Sequence, residues 1–311
     1  MREQSFWNRC VMWLLMAGLY ASSPSHACTL WSATGTNVFS GGTIISKNRD
    51  WKADHIQVLE LHRNGTNFAY FGLYAVYATS NKFEGLKQGV NEKGLSAATA
   101  TASSIPQNLR DAQKGRSGIV ASLLLHYANC DQILMDKDKL FSNRKPMFVM
   151  ISDRKKVLFV EIGLDGRYVV KTVESGTGVH SNHYLENSLS DCNIKAGESS
   201  TNRVARIAEL LKTAPKPLNI PTFTTMSRDH HDGDNDSLWR TGSGIKTLSS
   251  WILENPQSGS PKLQVVIANP GQPEQTNLFV LNQKFWNDTR FEHQVIKEKE
   301  RLKSEARQKS I

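Results

Sequence analysis

The sequence predicts one layered α+β domain, and three observations predict it. Strand-length apolar runs recur along most of the chain, a few amphipathic helical stretches lie between them, and neither an internal repeat nor a low-complexity linker divides the whole. With 311 residues, 39% of them hydrophobic, the chain is long enough for one large core or two small ones.

The elements follow in order. Thr29–Thr36 and Gly42–Arg49 read as a hairpin around Gly/Asn/Ser punctuation. Ile56–His62 and the aromatic-rich Phe68–Thr79 read as the next strands, and Gly94–Ala102 as a strand of small residues. Ser117–Tyr127 and Asp131–Leu140 carry apolar residues at helical spacing. Met147–Ile151, Lys156–Ile162 and Tyr168–Val173 are strand-like, with a turn at Leu164-Asp-Gly-Arg167 before the last. Asn202–Leu211 is an amphipathic helix stopped by Pro215 and Pro217. Arg228–Asp236 reads as a polar loop, and Thr247–Leu253, Lys262–Ala268 and Asn277–Leu281 as late strands. Asp232-Gly-Asp-Asn-Asp236 hints at a calcium loop but lacks the following Gly and the distal Glu, so a solvated loop is expected. No metal site and no cofactor are expected.

The N-terminus reads as a secretory leader. Arg2 and Arg9 flank the start, Cys10 to Ala21 is apolar but too short to span a bilayer, and Ser25-His-Ala27 offers small residues for cleavage after Ala27. This predicts an exported protein, periplasmic or secreted, with no stable membrane insertion once the leader is gone. An uncleaved anchor or lipidation at Cys28 are the competing readings. The net charge of +9 sits partly in the tail from Lys297 to Lys309, which is mixed with glutamates and reads as a solvated helix. No basic–aromatic pattern supports nucleic-acid binding. The expected division is a leader over 1–27, one domain over 28–290 and a charged C-terminal helix or tail over 291–311.

Cysteine counting points to the chemistry. After cleavage Cys28, Cys130 and Cys192 remain, in an oxidising compartment. A Cys130–Cys192 disulfide would leave Cys28 free, although counting leaves open that Cys28 is itself the paired residue. A cysteine at a new N-terminus carries both a thiol nucleophile and an α-amino group whose pKa near ~7.7–8.0 lets it accept a proton. Such a site needs the amine held, the oxyanion stabilised and a cation favouring thiolate. Lys47-Asn-Arg-Asp-Trp51, on the return strand of the opening hairpin, can supply Asp50 for the amine and Lys47 for the charge. It reads equally as a surface salt-bridge strand.

Cys28-Thr29 followed by Asn48-x-Asp50-Trp51 resembles the choloylglycine hydrolase and penicillin V acylase family and the related acyl-CoA:6-aminopenicillanate acyltransferase-like family. Further matches come in order: Gly89-Val-Asn-Glu-Lys-Gly-Leu95, Ser181-Asn182, Ser199-Ser-Thr-Asn-Arg203 and, faintly, Arg228-Asp-His230 with Ser237-Leu-Trp-Arg240. The resemblance implies a four-layer αββα sandwich of the N-terminal-nucleophile hydrolase type. It implies Cys28 as nucleophile and base, and Asp50 as holder of the α-amino group. Asn182 and a backbone N–H near Thr101 would be the oxyanion donors, with Arg203 positioning the nucleophile. The family's Arg falls at Lys47, which keeps the charge but loses the planar fork. Lys47 is expected to take that role, with Arg49 as the alternative cation and otherwise structural.

The expected activity is hydrolysis of a linear C–N bond through a thioester. The substrate would be a small N-acyl amide of the bile-acid, penicillin V, N-acyl homoserine lactone or N-acyl amino acid type. An acyltransferase using an amine acceptor is the second reading. A non-enzymatic secreted or lipidated protein is the third. A homo-oligomer stays open.

Overall fold

The computed structural model describes residues 27–63, 65–77 and 83–308. The expected leader lies outside the described residues, Ala27 excepted. Strands β1 (Cys28–Thr34), β2 (Thr43–Lys52), β3 (His55–His62), β4 (Tyr70–Tyr77), β5 (Phe83–Asn91) and β6 (Ser96–Thr101) come first. Helices α1 (Gln107–Ala112), α2 (Val120–His126), α3 (Cys130–Met135) and α4 (Lys137–Phe141) follow. Next are β7 (Met147–Ser152), β8 (Val157–Ile162), β9 (Tyr168–Val173) and β10 (Gly176–His180). The chain closes with α5 (Glu198–Thr213), α6 (Ile220–Ser227), α7 (Gly233–Asp236), β11 (Ile245–Asn255), β12 (Lys262–Ile267), β13 (Gln275–Val280), α8 (Gln283–Trp286) and α9 (Gln294–Gln308).

The strands form two antiparallel sheets, a six-stranded one ordered β10-β1-β2-β11-β12-β13 and a seven-stranded one ordered β3-β4-β5-β6-β7-β8-β9. Neighbouring apolar residues on the central strands point to opposite faces, as a two-residue period requires. Leu30, Ile45, Trp251 and Leu253 meet Phe71, Leu73, Phe148 and Met150 between the sheets. Their neighbours Trp31, Ile44 and Ile252 pack outward against Ile207 and Leu211 of α5 and Phe223 of α6. On the far side, Val149, Ile151 and Leu158 pack against α2, α3, α4 and α9. The result is the expected αββα sandwich. Each fully buried large apolar side chain contributes roughly 1.5–3 kcal/mol to holding the layers.

Three expectations change. The Cys130–Cys192 disulfide is not formed, and the described cysteines are all free. Cys130 lies in the cluster under the outer helices and Cys192 in the cluster between the sheets. Parity counts cysteines but cannot see the sheet that separates them. The tail is a helix, as expected, but not solvated all round: Val295 and Leu302 of α9 are buried against the seven-stranded sheet. The aspartates of 232–236 form the short helix α7 beside α5 rather than an open loop. Among the described residues no helix is long and apolar enough to cross a membrane.

Candidate active site

Cys28 is the first residue of β1, at the rim of the six-stranded sheet, and is 6% exposed. β1 pairs with β2 so that Cys28 faces Arg49 and Leu30 faces Lys47. Directly opposed residues of an antiparallel pair share a face. Cys28, Lys47, Arg49 and Trp51 therefore all line one cleft, of about 390 Å³, between the two sheets. The Arg49 guanidinium lies over the Trp51 ring, 5.2 Å from its centroid. Lys47 is buried and its Nζ donates to the Lys87 carbonyl at 3.1 Å. Burial lowers the Lys47 pKa to about 7, with Arg49 and Lys87 pushing the same way and Cys28 opposing.

The opposite face of β2 does different work. Asn48 donates to the carbonyls of Ser227 and Leu238, each at 2.8 Å, and accepts from the Ser227 hydroxyl at 2.8 Å. It thereby ties β2 to the end of α6 and to the segment before β11. Asp50 accepts from the Thr247 hydroxyl at 2.7 Å, and its Oδ2 has no hydrogen-bond partner among the described residues. Burial raises its pKa against the pull of Arg203 and Arg240. Its backbone N–H donates to the Ala27 carbonyl at 3.1 Å.

The hydrogen bond expected of Asp50 is made by Asn182. The Cys28 backbone nitrogen, which would become an α-amino group if the chain were cut after Ala27, donates to Asn182 Oδ1 at 2.8 Å. Asn182 Nδ2 donates to the Thr101 carbonyl at 2.8 Å. Arg203, buried in the first turns of α5, donates to the Cys28 carbonyl at 2.8 Å, the Thr29 hydroxyl at 2.6 Å and Asn182 Oδ1 at 3.0 Å. Its pKa falls to about 10 through burial, so it stays charged at neutral pH. The structure thus brings together Cys28, Lys47, Arg49, Asn182, Arg203 and the Thr101 carbonyl. Asp50 stands beside them on the other side of the sheet. Arg49 is the cross-strand neighbour of the thiol, while Lys47 is diagonal to it.

Sequence reasoning missed several partners. Ser200 Oγ accepts the Asn182 backbone N–H at 2.9 Å and contacts His183 Nδ1 at 2.7 Å, fixing the loop that carries Asn182. Ser200 lies inside the quoted Ser199–Arg203 segment, so a hydroxyl next to a helix start was the available signal. Arg240 ends the Ser237–Arg240 segment and is buried near Asp50. Lys87 gave no periodic signal. It is the extra residue of a β-bulge, because Leu73 and Tyr74 pair with Gln88 and Leu86. The bulge frees its carbonyl for Lys47. The aromatic stretch does not line the Cys28 cleft. Phe71 packs with Phe279, Phe285 and Phe291, and Tyr70 and Tyr74 line an adjoining cavity.

Two antiparallel sheets between helical layers, with a cysteine at a strand start and its nitrogen held by an inter-sheet amide, define the N-terminal-nucleophile class of fold. The chain belongs to the acyl-coenzyme A:6-aminopenicillanic acid acyl-transferase family, whose profile matches residues 39–270. That stretch takes in Lys47, Asp50, Asn182 and Arg203 and begins after Cys28. The fold is similar to that of two variants of the conjugated bile acid hydrolase from Clostridium perfringens. Both are 13% identical with a TM-score of 0.50, and the matches cover 84% and 83% of this chain and 94% of each of those chains. No curated protein sequence matches this chain.

Proposed function

We propose that this chain is an exported N-terminal-cysteine amidase that cleaves a linear N-acyl amide through a thioester. The observation that carries the reading is the 2.8 Å bond from the Cys28 nitrogen to Asn182, with Arg203 on the Cys28 carbonyl and the thiol facing a cation-lined cleft. Removal of residues 1–27 would turn that nitrogen into an amine. The thiol then attacks the substrate carbonyl and its proton passes to the α-amino group. The second N–H of Asn182 Nδ2 stabilises the oxyanion, since an amide nitrogen carries two donors and Thr101 takes one. Collapse breaks the C–N bond, and the leaving amine takes the proton from the α-ammonium. Water, deprotonated by the same amine, cleaves the thioester to release the acid and restore the thiol.

Substrates of the bile-acid amide, penicillin V, N-acyl homoserine lactone or N-acyl amino acid type fit this chemistry. The family's own description supports a second reading, in which an amine rather than water accepts the acyl group. Intact mass and N-terminal sequencing of the exported protein test the first requirement. A first residue other than Cys28 would end the mechanism, because a blocked amine cannot act as base. Product analysis with an added amine separates the two readings: diversion of the acyl group to the amine marks a transferase.

A further inference from the structure

We propose that Glu161 and His180 are positioning residues: as a buried pair between the two sheets they hold the segment that carries Asn182, and so aim its amide at the reaction of Cys28. This rests on the amidase reading above. Neither residue lines the Cys28 cleft; both wall a separate cavity of about 160 Å³. His180 ends β10 in the six-stranded sheet, and Glu161 lies on β8 in the seven-stranded one. They are 3% and 2% exposed, and His180 Nε2 meets Glu161 Oε1 at 2.8 Å. His180 Nδ1 meets the Ser181 carbonyl at 3.0 Å. A neutral imidazole has one N–H, so making both bonds at once takes the imidazolium. Its ring lies between Phe148 and Phe159, with centroids 4.3 and 6.3 Å away. Lys171 and Glu186, the other charged residues of that cavity, pair with each other at 3.5 Å and leave Glu161 to His180.

The Glu161 carboxylate has a second task. Its Oε1 also accepts the Leu185 N–H at 2.8 Å, and its Oε2 accepts the Glu186 N–H at 3.3 Å. One side chain therefore grips the chain on both sides of Asn182. The Asn182 backbone itself is held elsewhere: its N–H donates to Ser200 Oγ at 2.9 Å, and its carbonyl accepts from the Ser104 N–H at 3.1 Å. Ser200 ties the segment to the helix layer, and Glu161 ties it to the sheet that also holds Thr101. The Asn182 amide must reach the Cys28 nitrogen with its oxygen and the Thr101 carbonyl with its nitrogen, so its aim depends on where the segment is clamped. Anchorage alone does not call for charge, because apolar packing of similar volume holds a buried site as well as an ion pair does. Three N–H groups converging on one carboxylate fix direction as well as distance.

The test uses the mature protein and two reactions of the same thiol. With p-nitrophenyl butyrate the thiol forms a C–S bond as the ester C–O bond breaks. The thiol proton passes to the α-amine and p-nitrophenolate leaves, through an oxyanion. With iodoacetamide the sulfur displaces iodide and no oxyanion forms. Intact mass and a peptide map assign both products to Cys28, since Cys130 and Cys192 are fully buried. Glu161→Gln removes the charge at constant shape, and His180→Phe keeps the ring between its aromatic neighbours. Each should slow acylation about 10- to 100-fold while alkylation stays within about twofold of wild type. The double variant, which leaves no lone buried charge, should lose no more than the worse single one, as expected of two residues acting as a unit. It also keeps the test open if a single variant fails to fold. Acylation at the wild-type rate in the folded variants would overturn the proposal, and so would equal slowing of acylation and alkylation, the mark of a merely structural role. A wild-type Cys28 that alkylates but is never acylated would instead bring down the amidase reading, and this proposal with it.

Discussion

The two faces of β2 can be compared residue by residue. Lys47, Arg49 and Trp51 face the cleft, while Asn48 and Asp50 face the helices. The cleft side places charge beside a thiol and leaves room for a ligand. On the helix side Asn48 alone makes three hydrogen bonds, while Asp50 makes one through its side chain and leaves Oδ2 without a partner among the described residues. A single strand thus carries charge beside a cleft on one side and anchorage on the other, and a one-residue slip of register would exchange them. Arg203 is where the sides meet, because it rises from the helix layer yet touches the Cys28 carbonyl.

The comparison is sharpest at Cys28. Cys28→Ala should reduce turnover by at least about 10⁴-fold with folding retained, and Cys28→Ser should keep only a trace. Steady-state assays with circular dichroism check this, and substantial turnover by the Ala variant would place the nucleophile elsewhere. Arg203→Met should cost about 10²-fold or more in kcat, because the Cys28 carbonyl and Asn182 lose their shared donor. A rise in KM with unchanged kcat would make Arg203 a binding group instead.

The helix face should answer in stability. Asn48→Ala strands the polar groups of Ser227 and Leu238 and should lower unfolding free energy by about 2–4 kcal/mol. Cys28 alkylation by the folded fraction should change little. Denaturant titration and alkylation, run on the same samples, would break the comparison if the two effects came together. The cleft face should answer in reactivity: Arg49→Ala should slow Cys28 alkylation above pH 7 more than Lys47→Ala does, since Lys47 sheds its charge near there. The reverse ranking would return the cation's role to Lys47.

The smallest expected effect is a pH slope. The folded pKa of Lys47, about 7, lies below its unfolded value, so the unfolded state binds more protons between about pH 7 and about 10.5. The burial cost of the charged lysine is complete below that window and fades across it, so this group makes stability rise with pH there. Lys47→Met should flatten that rise, measured as the pH dependence of the difference in unfolding free energy.

Much of this was legible in the sequence because each long apolar run had one packing solution. β1, β2, β6, β7 and β8 fall where alternation and turn residues put them. β5 and β10 were not predicted: Phe83–Asn91 contains two glycines and bulges, and Gly176–His180 is short and glycine-rich, so neither shows a clean period. At the site, Cys28, Lys47, Asn182 and Arg203 converge from motifs quoted in order. The division of labour between Asp50 and Asn182 was not legible, because it turns on which face of β2 each meets, and a two-residue period names the faces without saying what covers them. Lys87 was invisible for a similar reason, since a bulge sets its place.

One consequence of Asn182 concerns tolerance. Its amide has its oxygen on the first residue of one sheet and its nitrogen on the last residue of a strand in the other. The slot at the thiol is therefore bridged by a single side chain as well as by the packing around it. A residue one methylene longer, as in Asn182→Gln, would have to displace the Cys28 nitrogen, the Arg203 guanidinium or the Thr101 carbonyl that its buried amide now meets.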